Sequence, residues 1–234
     1  MYKIGVSLLG SLNICSFVDC VKVIESLKKF GISIFEIPFF GDYNKNQASI
    51  KMIINEKVIF SVHADKNLLD LSNIEFIKRL LSLGKYLRTL ECKILVIHPS
   101  KNISLQKILI MKQLLPDIQI SFENTLENDE MNIFLDSINE YMNCSITIDI
   151  AHACFNKTNI KYINSHYLVT HFHVRGYSIE KKYKRFTDLD NSIWKYVLDN
   201  YDNKVFILEY PYDEINEIAN DFERINYVLH NQRR

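Results

Sequence analysis

Short apolar runs and amphipathic stretches alternate along the whole chain. Eight runs rich in Ile, Val and Phe begin at residues 2, 32, 58, 94, 118, 146, 169 and 205, a spacing of about thirty residues. Runs of this length with β-branched and aromatic residues are typical of buried strands. Between them, apolar positions recur every three to four residues, which predicts helices.

The predicted helices carry recognisable end signals. The stretch 16–31 opens with Ser16, a good N-cap residue, and closes with Gly31. The stretches 72–91 and 213–230 show the same apolar rhythm, whereas 41–57 looks like a shortened unit. No linker or low-complexity tract divides the chain, so we expect a single domain over residues 1–234.

Strand followed by helix, repeated eight times, predicts an α/β fold with a parallel sheet and right-handed crossovers. Eight such units close into a (β/α)8 TIM barrel, and 234 residues make a compact one, since roughly 250 are usual. A doubly wound open sheet is the alternative. The count of eight runs and the lack of a glycine-rich first turn argue against it.

Composition narrows the class of protein. Lys plus Arg and Asp plus Glu both number 28, which disfavours a nonspecific nucleic-acid binder, and 47% hydrophobic residues support a sizeable core. The five cysteines are scattered without a CxxC pair, as is usual for a cytoplasmic protein. No signal-peptide pattern and no apolar run of about 18 residues is present, so we expect no membrane association.

Polar residues stand where the apolar runs end. Strand parity turns each of them away from its large apolar neighbours, toward the inside of a barrel. Active sites of this fold lie at the C-terminal mouth, where these positions would meet. Five of the seven histidines and three acidic residues are in this set. Its members are His63, His98, Glu123, Asp149, His152, His171, His173 and Glu209.

Each of these residues also has a plain structural interpretation. A single histidine at a strand end is most often a hydrogen-bonded core residue, and Asp149 with His152 resembles a helix N-cap and its neighbour. Several carboxylates converging on a dry mouth repel one another, however, unless a positive charge lies between them. A divalent metal held by mixed His, Asp and Glu ligands is the simplest explanation.

The motifs around these residues resemble those of the xylose-isomerase-like TIM barrels, over essentially the whole chain. In the epimerase-type members of that superfamily, a Glu, an Asp, a His and a Glu from the last four strands hold one metal. The resemblance implies that set in "FENT", "IDIAHA", "HFHVRG" and "LEYP", as Glu123, Asp149, His173 and Glu209. It also implies that His152 touches the substrate.

Endonuclease IV-like members of the superfamily extend the site with two more histidines. His63 in "SVHA" and His98 in "VIHPS" match those positions, and Glu123 would then bridge two metals. The chain departs from that pattern after the seventh strand, where "GYSIEKKYKRFTDLDNSIW" contains no Asp-x-His element. A third metal is therefore not expected, and the phosphodiesterase interpretation is weakened.

The resemblance and the ligand set together predict a sugar, or sugar-phosphate, isomerase or epimerase that depends on one or two divalent metal ions, Zn or Mn. Proton transfer would pass through a metal-stabilised enediolate, with Glu123 and Glu209 as base and acid. A solvated loop is the plain interpretation of the basic residues after the seventh strand. The alternative is that they hold a phosphate or carboxylate of the substrate: Arg175, Lys184 and Arg185.

Several alternatives stay open at this point. Glu36 would bind substrate hydroxyls or form a salt bridge inside the barrel, and His171 is either a partner of a metal ligand or a core residue. The alternative function is an endonuclease IV-like phosphodiesterase acting on abasic DNA, and only then would nucleic acid be a partner. A degenerate barrel that serves as a binding module is a third option, and a homo-oligomer is compatible with any of them.

Overall fold

Eight parallel strands close into a barrel in the computed structural model, which describes residues 3–9, 12, 14, 16–41, 59–101, 103–177, 183–184, 196–197, 199–200 and 204–231. The strand order around the barrel is β1-β10-β7-β6-β5-β4-β3-β2, with β1 hydrogen-bonded to β10. This closure confirms the (β/α)8 TIM barrel and excludes the open sheet. The barrel strands are β1 Lys3–Ser7, β2 Phe35–Pro38, β3 Ile59–His63, β4 Ile94–Ile97, β5 Gln119–Glu123, β6 Ser145–Asp149, β7 Leu168–Val174 and β10 Val205–Leu208.

Helices follow most of these strands, and serine side chains cap three of them. Ser16, Ser72 and Ser104 each accept a hydrogen bond from the backbone N–H three residues later, which satisfies a donor that the helix itself leaves unpaired. Gly31, at φ +79°, follows the first helix as predicted. The helices are α1 Phe17–Lys28, α2 Asn73–Thr89, α3 Leu105–Leu114, α4 Asn128–Asn139, α5 Ile150–Phe155, α6 Ile160–His166 and α7 Ile215–Asn231, with a 3-10 turn at Leu68–Asp70.

The alternation along the strands separates two layers of packing. Phe122 of β5 is fully buried and packs edge-on against Phe134 of α4, with ring centroids 4.9 Å apart. The residues of opposite parity face inward, where Ser121 and Thr147 share a hydrogen bond of 2.7 Å. Large apolar side chains therefore fill the space under the helices, and small polar ones line the barrel interior.

One feature of the described structure lies beyond the sequence predictions. A short antiparallel pair, β8 Gly176–Tyr177 and β9 Tyr183–Lys184, follows the seventh barrel strand. The shortened unit expected at 41–57 falls outside the described residues, apart from Gly41. Among the described helices, none is long and apolar enough to cross a bilayer.

Candidate metal centre

Donor atoms from six strand ends meet at the C-terminal mouth of the barrel. They form two groups, and within each group the possible ligand atoms lie within 4.8 Å of one another. All the contributing residues are buried except His98, whose side chain is 18% exposed. The structure thus brings together all six residues expected to bind metal: His63, His98 and Glu123 in one group, and Glu123, Asp149, His173 and Glu209 in the other.

Glu123 belongs to both groups because its two oxygens point in different directions. Oε2 lies 3.1 Å from His63 Nε2 and 3.0 Å from His98 Nε2. Oε1 faces the second group, 3.9 Å from His173 Nδ1, and lies 3.7 Å from His152 Nε2. Burial alone would raise the pKa of Glu123, but hydrogen bonds from the histidines outweigh it and hold that pKa well below its usual range. Glu123 is therefore a carboxylate with histidine nitrogens on both sides.

The first group requires a positive charge between His63 and Glu123. His63 Nδ1 donates a hydrogen bond to the Ala64 carbonyl at 2.9 Å, so a neutral ring would carry no proton on Nε2. Nε2 and the carboxylate would then both be acceptors at 3.1 Å, which only a second proton or a metal ion can reconcile. Burial lowers the pKa of His63, but its bond to Glu123 and nearby carboxylates outweigh this and raise it to about 9.

The second group contains buried polar atoms that make no hydrogen bond within the described structure. His173 Nδ1 and Glu209 Oε2 are 2.7 Å apart, yet neither has the geometry of a hydrogen bond. Asp149 Oδ2 also lacks a hydrogen bond, although it forms an ion pair with Arg175. Buried polar atoms are normally paired, and carboxylate oxygens with an imidazole nitrogen are the donors that zinc and manganese accept. The residues present therefore fit a divalent cation.

Arg175 lies among the carboxylates of the second group. Its Nη2 forms a close ion pair with Asp149 and is 3.9 Å from Glu123, while Nη1 is 3.8 Å from Glu209. Burial raises the pKa of Asp149 more than this guanidinium lowers it. For Glu209, burial raises the pKa, but the charges of His173 and Arg175 outweigh it and lower the pKa. The residue expected to bind an anionic substrate group thus stands beside the ligand set.

Asp149 fits both interpretations that the sequence allowed. Its Oδ1 accepts a hydrogen bond of 2.8 Å from the backbone N–H of His152 and caps helix α5, while Oδ2 faces the ligand group. The cap places His152, with a side chain 17% exposed, at the rim. Asn124, to which the sequence assigned no role, exchanges hydrogen bonds with the backbone of Asp149 at 2.6 and 3.1 Å. The sequence feature that could have indicated this role is the position of Asn124 directly after Glu123.

Glu36 lies below the mouth, inside the barrel. It is fully buried, and its oxygens accept hydrogen bonds from Ser61 Oγ at 2.7 Å and Ser7 Oγ at 3.2 Å. His173 Nε2 lies 3.1 Å and His171 Nε2 3.4 Å from its oxygens. These contacts within the barrel favour the structural interpretation of Glu36, and its binding to substrate hydroxyls stays a prediction. His171 is a neighbour of the same carboxylate.

The basic residues after the seventh strand are only partly described. Lys184 belongs to strand β9, where it pairs with Gly176, and its side chain is outside the description. Arg185 lies outside the described residues. Their role in substrate binding therefore stays a prediction.

Comparison with known proteins shows likeness of structure without likeness of sequence. No protein-family model matches the chain, and no curated protein does. Among solved structures, the probable 3-DHS dehydratase AsbF involved in petrobactin synthesis from Bacillus anthracis has a TM-score of 0.70 at 12% identity, covering 96% of this chain and 98% of that one. The IOLI protein with a bound zinc atom has a TM-score of 0.69 at 13% identity, covering 97% of both chains. A sugar phosphate isomerase/epimerase from Parabacteroides distasonis has a TM-score of 0.69 at 13% identity, covering 95% of this chain and 93% of that one.

Other matched structures are named as xylose isomerases or xylose isomerase domain proteins. At identities this low, the likeness establishes the fold alone, a TIM barrel. Because one fold hosts many chemistries, the function must be argued from the site itself.

Proposed function

We propose that this protein is a divalent-metal-dependent isomerase or epimerase of a sugar or sugar phosphate. The observation that carries the proposal is the second ligand group, in which the buried atoms His173 Nδ1 and Glu209 Oε2 face each other at 2.7 Å without a hydrogen bond, within ligand reach of Glu123 and Asp149. The named neighbours include a sugar phosphate isomerase/epimerase and a zinc-bound protein, which supports this class of chemistry.

Glu123, Asp149, His173 and Glu209 would hold the metal, with His63 and His98 able to hold a second ion on the other side of Glu123. When bound, the metal supplies Lewis-acid polarisation of a substrate carbonyl. The histidine donors favour Zn or Mn over Mg.

The chain's own carboxylates then divide the proton transfer. Both oxygens of Glu123 face histidines, and its side chain is 1% exposed. Glu209 is slightly more open at 7%, and its Oε1 has only Arg175, at 3.8 Å, as an ion-pair partner among the described residues. We therefore assign to Glu209 the removal of the proton beside the carbonyl, which Glu209 keeps, and to Glu123 the delivery of a proton to the other face, relayed from the charged His63 ring at its Oε2. Positioned acid–base groups contribute about 10²- to 10⁴-fold in rate.

The rim would select the substrate. His152 Nε2 stands 3.7 Å from Glu123, close enough to bond a hydroxyl beside the reacting carbon. Arg175 is the charged group at the mouth best placed to pair with a phosphate or carboxylate, because a guanidinium binds such anions through two parallel hydrogen bonds. A sugar phosphate would use both contacts.

Hydrogen exchange tests this proposal without knowledge of the product. Protein loaded with Zn²⁺ or Mn²⁺ is incubated in D₂O with a panel of ketoses, aldoses and their phosphates, and loss of the C–H signal beside the carbonyl is followed by NMR. We expect exchange with at least one sugar, and a rate about 10²- to 10⁴-fold lower for Glu209→Gln at matched metal content. Glu223→Gln, a change at an exposed position of helix α7, should exchange at the rate of the unaltered protein.

A second candidate function is favoured by one observation. Glu123 directs one oxygen to each ligand group, the arrangement of a carboxylate shared by two metals, which matches a phosphodiesterase acting on abasic DNA. An abasic-site oligonucleotide is therefore included in the panel. Cleavage of that strand, lost in Glu209→Gln, together with no sugar exchange, would replace the isomerase proposal by this one.

A further inference from the structure

A buried polar layer lies directly beneath the second ligand group. It consists of Ser7 on β1, Glu36 on β2, Ser61 on β3 and His171 with His173 on β7, and all five residues are 0% exposed. Only His173 also belongs to the ligand group above. Glu36 pairs in register with Ser61, two residues before His63 on β3, so the layer lies deeper in the barrel than the mouth, and His173 is the residue it shares with the ligand group.

The two ring nitrogens of His173 face different partners. Nε2 lies 3.1 Å from Glu36 Oε1 and 3.2 Å from Oε2. Nδ1 lies on the other side, 2.7 Å from Glu209 Oε2 and 3.9 Å from Glu123 Oε1, and it makes no hydrogen bond within the described residues. A carboxylate can only accept, so a neutral ring bonded to Glu36 carries its proton on Nε2 and has its lone pair on Nδ1.

We propose that Glu36 is a positioning residue, which holds the His173 ring in the Nε2–H tautomer and so presents Nδ1 to a divalent cation bound by Glu123, Asp149 and Glu209. The inference rests on the proposed function, from which it takes the cation. A carboxylate behind a metal-bound histidine fixes the orientation of the ring and makes the coordinating nitrogen more basic. Glu36 has the chemistry and the place for this role.

Glu36 is itself held from two further strands. Ser61 Oγ donates to Oε2 at 2.7 Å, and Ser7 Oγ donates to Oε1 at 3.2 Å. Since these bonds anchor both oxygens to neighbouring strands of a closed sheet, the carboxylate cannot turn to follow the ring. The ring must instead adapt to the carboxylate, which is what a positioning role requires.

A different occupant of the layer is conceivable on geometry alone. Donor atoms of Glu36, His171 and His173 also lie within 4.8 Å of one another and would offer three ligands to a cation placed inside the barrel. That cation would need the lone pair of His173 on Nε2, facing away from Glu209. The two arrangements therefore differ in which nitrogen of His173 binds metal.

The test substitutes Glu36→Gln, which keeps the shape of the side chain and removes its charge. We expect roughly 10- to 100-fold weaker Zn²⁺ binding in competition with a chromophoric chelator, and a changed visible spectrum of the Co²⁺ form. Asp221→Asn is the matched control, because Asp221 on helix α7 is also a buried carboxylate and accepts a hydrogen bond from the hydroxyl of Tyr212. This substitution should leave the Zn²⁺ affinity unchanged. Thermal unfolding of the metal-free variants establishes that both fold.

Histidine ¹⁵N spectra of the zinc form of the unaltered protein provide a second readout, which does not require Glu36→Gln to fold. We expect His173, assigned by its loss in His173→Gln, to show a protonated Nε2 and a metal-bound Nδ1. Zinc bound through Nε2 would overturn the inference in favour of the deeper cation. Equal affinity of Glu36→Gln and the unaltered protein would overturn it while the proposed function stands, and absence of metal binding by the unaltered protein would overturn both.

Discussion

At the scale of single residues, the chemistry of the barrel mouth depends on which partner each polar atom of a side chain contacts. Glu123 gives Oε2 to His63 and His98 and Oε1 to the side of His173. Asp149 gives one oxygen to the backbone N–H of His152 and the other to the ligand group. A residue with both atoms committed in different directions couples two parts of the site, so its replacement should disturb both.

The division of Glu123 predicts how metal content responds to substitution. Removing His63 deprives the first group of a ligand but leaves the second group complete, so we expect His63→Ala to lose one of two ions, while Glu123→Gln loses both. The measurement is metal analysis by mass spectrometry after dialysis. A single ion in the unaltered protein that His63→Ala retains would show that only the second group binds metal.

At the scale of elements, strand β6 passes directly into helix α5 with no intervening loop. Asp149 is at once the last residue of the strand and the N-cap of the helix. This junction fixes the distance between a candidate ligand and His152 in the first turn of the helix. Asn124, at the end of the neighbouring strand, clamps the backbone of Asp149 from the side.

The double role of Asp149 can be separated by two substitutions. Asparagine is as good an N-cap as aspartate, whereas alanine is worse by about 0.5–2 kcal/mol. We expect Asp149→Asn to retain more of the unfolding free energy than Asp149→Ala, measured in urea without metal. Both should bind Zn²⁺ more than about tenfold more weakly, the range typical of changes at a metal site. Equal stability of the two variants would mean that the cap contributes nothing.

At the scale of the whole molecule, the closed sheet makes distant parts of the chain neighbours. Strands β1 and β10 lie near opposite ends of the sequence and pair in parallel, from Lys3 with Val205 to Val6 with Leu208. Gly5 permits this closure, because a Cβ there would come within 2.7 Å of the Ile207 side chain and of the Ile34 carbonyl oxygen. The second ligand group joins β5, β6 and β7 with the residue that follows β10, so a cation would cross-link four strands.

Metal bound only to the folded barrel should therefore stabilise it. At a free Zn²⁺ concentration 100 times the dissociation constant, the gain is about 2.7 kcal/mol, or roughly 5–10 °C in Tm for a chain of this size. Differential scanning fluorimetry with zinc and with a chelator measures the shift, and Glu123→Gln should reduce it. A shift of full size in that variant would place the stabilising metal elsewhere.

The local properties of the sequence were sufficient for much of this architecture. Periodicity and strand parity predicted the eight strands, and the caps at Ser16 and the turn at Gly31 were visible as single residues. The polar candidates could be picked out because each lies at or near the end of an apolar run, and parallel strands deliver such ends to one rim. The choice of six ligands among them came from the resemblance to the xylose-isomerase-like barrels. The short pair β8 and β9 was missed, since two-residue strands leave no periodic signal.

Only the tertiary structure decided what each polar group faces. From the sequence, Glu36 could bind substrate or form a salt bridge. Its partners come from β1, β3 and β7, and their distances from Glu36 depend on barrel closure and strand register. The contacts of Arg175 with three carboxylates, and the opposite directions of the two Glu123 oxygens, are likewise set by packing between strands. Sequence by itself determined which chemical groups reach the mouth, because alternation and run length are local. Their pairing was decided by the fold, because hydrogen bonds and ion pairs depend on distances between residues far apart in the chain.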